Sequence, residues 1–179
     1  MIQHFLFTTV ITANFGKFFN FIFNYLSIMG KLKEGDKAPS FSGKDQYGNE
    51  ISLDQFTGKK IALYFYPKDN TPGCTAEACN LRDNHSELAD KNYQVIGVSA
   101  DNEESHKKFS SRYNLPFPLV ADTDKKILHD YEAWGEKKMY GKTYEGILRK
   151  TFLIDENGII EKIIDKVNTK NHSFQILST

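Results

Sequence analysis

Cysteine is nearly absent from this chain of 179 residues: there are two, Cys74 and Cys79. So few thiols exclude a disulfide scaffold, and an apolar content of 40% is ample for a core without one. Net charge is missing as well. Lys and Arg number 23 and Asp and Glu number 23, so no field draws the chain to nucleic acid or to an acidic membrane surface. The five histidines, His4, His85, His106, His129 and His172, form no His-x-x-x-His or Cys/His pairing, which argues against a metal site. Gly-rich phosphate loops, Ser/His/Asp arrangements and internal repeats are not found. What remains is the cysteine pair. Thiols at redox-active spacing fit a reducing compartment, the cytoplasm by default.

Charge is scarcest at the N-terminus. The first 28 residues hold seven of the fourteen Phe residues and one charged residue, Lys17. A secretory signal wants positive charge before its apolar segment, whereas Lys17 follows it. A membrane span wants about 20 uninterrupted apolar residues. Thr8, Thr9, Thr12, Asn14, Lys17, Asn20 and Asn24 interrupt this one. The alternative favoured here is a translation start at Met29. Residues 1–28 are then an apolar extension outside the fold, residues 29–179 are one domain, and stable membrane association is not expected.

After Met29 the punctuation is that of an α/β domain. Short strands are expected at Ala38–Phe41 and Glu50–Leu53, around the turn residues Gly43, Asp45, Gly48 and Asn49. Lys60 to Tyr66 and Tyr93 to Ser99 are short, largely apolar runs of the kind buried parallel strands show. Cys74 to Asp90 fits one helix, Glu103 to Tyr113 a polar second and Lys125 to Tyr131 a short third. Pro116-Phe117-Pro118 forces an extended path into Leu119-Val120. Ile147 to Asp155 and Ile159 to Ile164 form a hairpin over Glu156-Asn157-Gly158. A last helix starts at Asn171-His172, with barely two turns of chain left.

The stretch from Pro67 to Cys79 carries both cysteines. Thr71 reads as an N-cap and Pro72 as the first helical residue, so Cys74 falls in the first turn. A thiol there faces unpaired backbone N–H groups and the positive end of the helix dipole. Both favour the thiolate, the reactive form. In a regular helix residues five apart have Cα atoms about 8.6 Å apart, beyond the ~7 Å a disulfide spans. If Cys74 and Cys79 bond at all, the helix must first unwind. Arg149, between Ile147-Leu148 and Phe152-Leu153, is a charge in an expected buried strand and asks for an anionic partner.

Pro67, Thr71 and Cys74 stand in the Pro-x-x-x-Thr-x-x-Cys pattern of the peroxiredoxins. The run Thr71-Pro72-Gly73-Cys74-Thr75-x-Glu77-Ala78-Cys79 resembles the bacterioferritin comigratory protein, or peroxiredoxin Q, subgroup. The resemblance continues through Gly97–Asp101, Ser105–Phe109 and Gly146–Asp155, and spans about Lys33 to His172. It implies a thioredoxin-like fold, a central mixed β-sheet flanked by helices in three α/β/α layers. It also implies a thiol peroxidase of antioxidant defence. Cys74 would attack hydrogen peroxide or an alkyl hydroperoxide, Cys79 would resolve the sulfenic acid as a disulfide, and thioredoxin or a similar dithiol would recycle it. By the same resemblance Arg149 holds the thiolate and polarises the peroxide, the Thr71 hydroxyl bonds both, and the Pro67 ring shields the sulfur. No metal or organic cofactor is implied, and a monomer or weak dimer is expected. Glu77 matches the subgroup pattern but is expected only to favour the helix start. The non-enzymatic alternative is a peroxide-sensing switch or binding module without turnover.

Overall fold

The computed structural model describes residues 31–139 and 141–179. The expected extension over residues 1–28 lies outside them. Strands Ser42–Lys44 (β1) and Glu50–Ser52 (β2) come first, and a 3-10 turn at Leu53–Phe56 leads to Lys60–Phe65 (β3). Helices Pro72–Asp83 (α1) and His85–Asp90 (α2) precede strand Tyr93–Ser99 (β4), helix Glu103–Tyr113 (α3) and strand Leu119–Ala121 (β5). Helix Lys126–Asp130 (α4) leads into strands Trp134–Met139 (β6), Lys142–Ile147 (β7), Lys150–Ile154 (β8) and Ile160–Ile164 (β9). Helix His172–Leu177 (α5) ends the fold.

Seven strands form one mixed sheet in the order β2-β1-β5-β4-β3-β8-β9. β3 and β5 run parallel to β4, whereas β8 pairs antiparallel with β3. This mixed sheet with flanking helices is the expected architecture. β3 is central and covered on both faces, which is why its sequence is an unbroken apolar run rather than an alternating one. Leu63 and Phe65 face one way. There Phe65, Tyr131 and Phe152 pack with ring centroids 5.1–5.9 Å apart. Ala62, Tyr64 and Tyr66 face the other way, in the core cluster that includes Cys74, Ala78 and Leu81 of α1. Each such ring buried stabilises the fold by about 2 kcal/mol.

Four sequence expectations are corrected. The first strand lies at Ser42–Lys44, and the expected strand at 38–41 is not formed; an isolated bridge between Lys37 and Ile159 lies just before it. Gly43, expected in a turn, sits in β1, where a Cβ would come 2.6 Å from the Val120 side chain. The single helix expected over 74–90 breaks at Asn84, whose side chain donates to the Asn80 carbonyl at 2.8 Å while its backbone leaves the helical path. The β6–β7 hairpin has no counterpart among the expected strands, and Ile147 belongs to it rather than to β8. Arg149 therefore lies not within a buried strand but in the two-residue link between β7 and β8. A guanidinium there can bend back over the sheet end, which a strand interior would forbid.

Candidate active site

The β3–β4 ladder runs one residue past β3, to a bond from Tyr66 N–H to the Val98 carbonyl at 3.2 Å. Pro67 follows, has no N–H to give, and is half-buried where the ladder stops. The loop from Lys68 to Thr71 is pinned from below. Asp69 accepts from the Tyr66 hydroxyl at 2.8 Å and the Ser105 hydroxyl at 2.7 Å, and His106 Nδ1 lies 2.9 Å from it. Its backbone N–H donates to Asp101 at 2.9 Å. Asn70 then takes a left-handed backbone with φ 58°, a conformation that Asn tolerates better than most residues. This turn aims the chain into α1.

Thr71 is the N-cap by backbone geometry and Pro72 is the first helical residue, as expected. The Thr71 hydroxyl makes no capping bond. It donates to the Lys68 carbonyl at 3.0 Å, so its proton points away from the helix end. Cys74 is the third residue of α1 and only 1% exposed. Arg149 Nη2 donates to Cys74 Sγ at 3.2 Å. A Cβ on Gly73 would lie 3.4 Å from that same nitrogen, at the edge of ordinary contact. Cys79 is half-buried on the same helix and free, as is Cys74.

The residue that sequence reasoning underrated is Glu77. Arg149 Nη1 donates to Glu77 Oε2, so one guanidinium bridges the sulfur and a carboxyl that is wholly buried. Burial pushes Glu77 up to about 7, against the pull of Arg149. Burial also works against the Arg149 charge, but Glu77 and Cys74 together outweigh it and raise the guanidinium further. Beyond Glu77 lies His172, buried at the start of α5. Its Nε2 is 2.8 Å from the Thr151 hydroxyl and 3.8 Å from Glu77 Oε1, and burial drives it down to about 4. Glu77 carried a local signal, because residues three apart on a helix share a face with Cys74. His172 and Thr151 carried none. Among the described residues no group of three or more His, Cys, Asp or Glu side chains is placed to hold a metal ion.

A buried thiol at a helix N-terminus, bonded to an arginine from the link at the end of a thioredoxin-like sheet, fits the class of thiol peroxidases. Comparison with known proteins agrees. Residues 34–163 match the AhpC/TSA family. Peroxiredoxin Bcp of Bacillus subtilis is 46% identical over 148 residues, covering 83% of this chain and 94% of that protein. Peroxiredoxin Bcp of Escherichia coli is 45% identical over 150 residues, covering 84% and 96%. Among solved structures, a Xylella fastidiosa PrxQ mutant superposes with a TM-score of 0.78 at 30% identity, over 83% of this chain and 95% of that one. A Xanthomonas campestris peroxiredoxin Q mutant gives 0.73 at 34% identity, over 77% and 88%. The chain belongs to the AhpC/TSA family, as a peroxiredoxin of the Bcp and peroxiredoxin Q kind.

Proposed function

We propose that this peroxiredoxin reduces hydrogen peroxide and alkyl hydroperoxides through Cys74. The observation that carries the reading is the 3.2 Å bond from Arg149 to a sulfur seated in the first turn of α1. A fixed cation and the helix dipole both favour thiolate at that point. The thiolate takes the terminal peroxide oxygen. Arg149, the Thr71 hydroxyl after rotation, and the backbone N–H groups of Gly73 and Cys74 stabilise charge as the O–O bond breaks. Pro67 limits water at the sulfur. Cys79 then condenses with the sulfenic acid once α1 has unwound, and a thioredoxin-like dithiol reduces the disulfide.

The working unit in this reading is residues 29–179, supported by a family match that lies wholly inside it. Residues 1–28 take no part in the chemistry. No helix among the described residues is long and apolar enough to cross a membrane, and we assign the protein to the cytoplasm as a monomer or weak dimer. A coupled assay with thioredoxin, thioredoxin reductase and several hydroperoxides tests the activity. Cys74→Ser abolishes turnover, while Cys79→Ser completes one turnover and accumulates sulfenic acid on Cys74, read by mass spectrometry. Peroxide consumption that stops at one equivalent in wild type with the reductant present would identify a sensor instead.

A further inference from the structure

Glu77 is a buried titratable group that the peroxidase reading leaves without a task. Three side chains bear on its carboxyl, Tyr64 of β3, Arg149 of the β7–β8 link and His172 of α5, and Arg149 ties it to Cys74 on its own helix. Tyr64 is fully buried, and that burial keeps its phenol un-ionised. His172 is held neutral by burial too, and its Nδ1 faces the side-chain amide oxygen of Gln175 at 3.3 Å, so the proton belongs there. Its Nε2 is then a lone pair, engaged by the Thr151 hydroxyl.

Arg149 is thus shared by two groups that can both ionise. Nη2 goes to Cys74 and Nη1 to Glu77 Oε2. Glu77 Oε1 is buried and receives no hydrogen bond at all. An ionised Oε1 would be a buried carboxylate oxygen with no donor, because the His172 Nε2 3.8 Å away carries only a lone pair already engaged by Thr151. Thiolate and carboxylate together would also leave one negative charge uncompensated where water does not reach.

We infer that Glu77 holds the proton Cys74 gives up, so that the resting site is a Cys74 thiolate beside a Glu77 carboxylic acid with Arg149 between them. The inference rests on the reading of Cys74 as the attacking thiolate, and it makes turnover neutral within the site. Sulfur attacks the terminal oxygen and forms an S–O bond, keeping the hydrogen that oxygen carries. The O–O bond breaks and the alkoxide departs with its electron pair. Sulfur is oxidised by two electrons and the peroxide is reduced by the same two. With the thiolate charge gone, Arg149 belongs to Glu77 alone and the carboxyl ionises. Ionisation of Glu77 releases one proton and protonation of the alkoxide consumes one, so the two balance and the protein takes up none from solvent. Thiolate, hydroperoxide and carboxylic acid go in; sulfenic acid, alcohol and carboxylate come out. Reduction of Cys74 returns the proton.

The test uses full-length Cys79→Ser protein, which stops at the sulfenic acid, given one equivalent of hydrogen peroxide in weakly buffered solution near neutral pH. A pH indicator counts protons and mass spectrometry counts oxygen on Cys74. Per sulfenic acid formed, the protein with Glu77 is expected to take up about one proton fewer than its Glu77→Gln counterpart. Infrared difference spectra of Cys79→Ser protein are expected to show the loss of a protonated carboxyl C=O stretch on oxidation. This second readout requires no change at position 77, so it stands if Glu77→Gln fails to fold. Equal proton uptake, or oxidation of Cys74 with no carboxyl band lost, overturns the inference while leaving Cys74 as the nucleophile. Absence of oxygen on Cys74 overturns the peroxidase reading itself.

Discussion

Two buried carboxyl–imidazole pairs lie on either side of Cys74, and they are built to opposite specifications. Asp69 and His106 are 2.9 Å apart, and both Asp69 oxygens are engaged, Oδ1 by Tyr66 and Oδ2 by Ser105 and His106. Glu77 and His172 are 3.8 Å apart, and one Glu77 oxygen has no partner. The satisfied pair fixes a backbone, because Asp69 belongs to the loop that delivers Thr71 and Pro72 to the helix start. The unsatisfied pair fixes nothing so firmly and can change its proton count. A buried polar group with all its bonds made is an anchor, whereas one with a bond missing responds to the charge beside it.

The largest effect separates the pairs by stability. Asp69→Ala leaves the Tyr66 and Ser105 hydroxyls and the His106 ring without their shared partner in the interior and is expected to cost roughly 3–5 kcal/mol, a fall in Tm on the order of 10 °C for a domain this size. Glu77→Gln removes an oxygen that lacked a partner and should leave Tm nearly unchanged. Thermal unfolding of both variants followed by circular dichroism makes the comparison, and equal losses would erase the distinction drawn between the pairs.

The next effect is chemical and confined to the Glu77 side. Arg149→Met removes the cation that Cys74 and Glu77 share, and sulfenic acid formation is expected to slow by about 10²–10³. Thiolate absorbance at neutral pH should fall, while the fold survives because Glu77 can remain protonated. Stopped-flow kinetics with hydrogen peroxide check the rate. A rate within a factor of two of wild type would remove Arg149 from the chemistry.

Much of this was legible in the sequence, and the rest was hidden for physical reasons. The apolar runs of β3 and β4 and the Thr71-Pro72 start of α1 are local signals, and they placed Cys74 at the helix N-terminus without any tertiary knowledge. Asn84 falls inside the expected continuous helix because nothing in its neighbours' pattern shows its side chain bonding back to Asn80. The β6–β7 hairpin is largely solvated and rich in Lys and Glu, so it lacks the apolar alternation that marks a half-buried strand. The two imidazoles are the clearest case. His106 meets a partner 37 residues away and His172 one 95 residues away, distances at which spacing carries no information.

A smaller effect reads the pairs by their pH slopes. Burial holds Glu77 near 7, above its usual 4.5, and His172 near 4, below its usual 6.5. Between about pH 4.5 and 6.5 the folded protein keeps a proton on Glu77 that the unfolded chain has lost, so this contribution falls as pH rises. Over the same window folded His172 lacks a proton that the unfolded chain binds, so its contribution rises with pH. The slopes oppose each other and nearly cancel in wild type. His172→Asn exposes the Glu77 slope, and stability then declines with rising pH up to about 7, by at most ~1.4 kcal/mol per pH unit. Glu77→Gln exposes the opposite slope, rising over about pH 4 to 6.5. Urea denaturation across that range measures both, and slopes of the same sign in the two variants would contradict the assignment.

The smallest effect concerns the far end of α1, which must give way before Cys79 can reach Cys74. Asn80, next to Cys79, is tied to the C-terminal segment: its Nδ2 donates to the Lys170 carbonyl at 3.2 Å and its Oδ1 accepts from Ser173 N–H at 2.8 Å. The start of the helix is held through Asp69 and its end through Asn80, so unwinding between the cysteines works against both ties. Removing the weaker, more exposed one by Asn80→Ala should lower the cost of unwinding by about 1 kcal/mol. Disulfide formation after a peroxide pulse should then run about fivefold faster, while the preceding sulfenic acid step keeps its rate because Arg149, Glu77 and Cys74 are untouched. Rapid acid quench followed by thiol labelling resolves the two steps. Unchanged resolution kinetics would mean that α1 unwinds only from its Asp69 end and stops short of Asn80, and the C-terminal tie would then bear on stability alone.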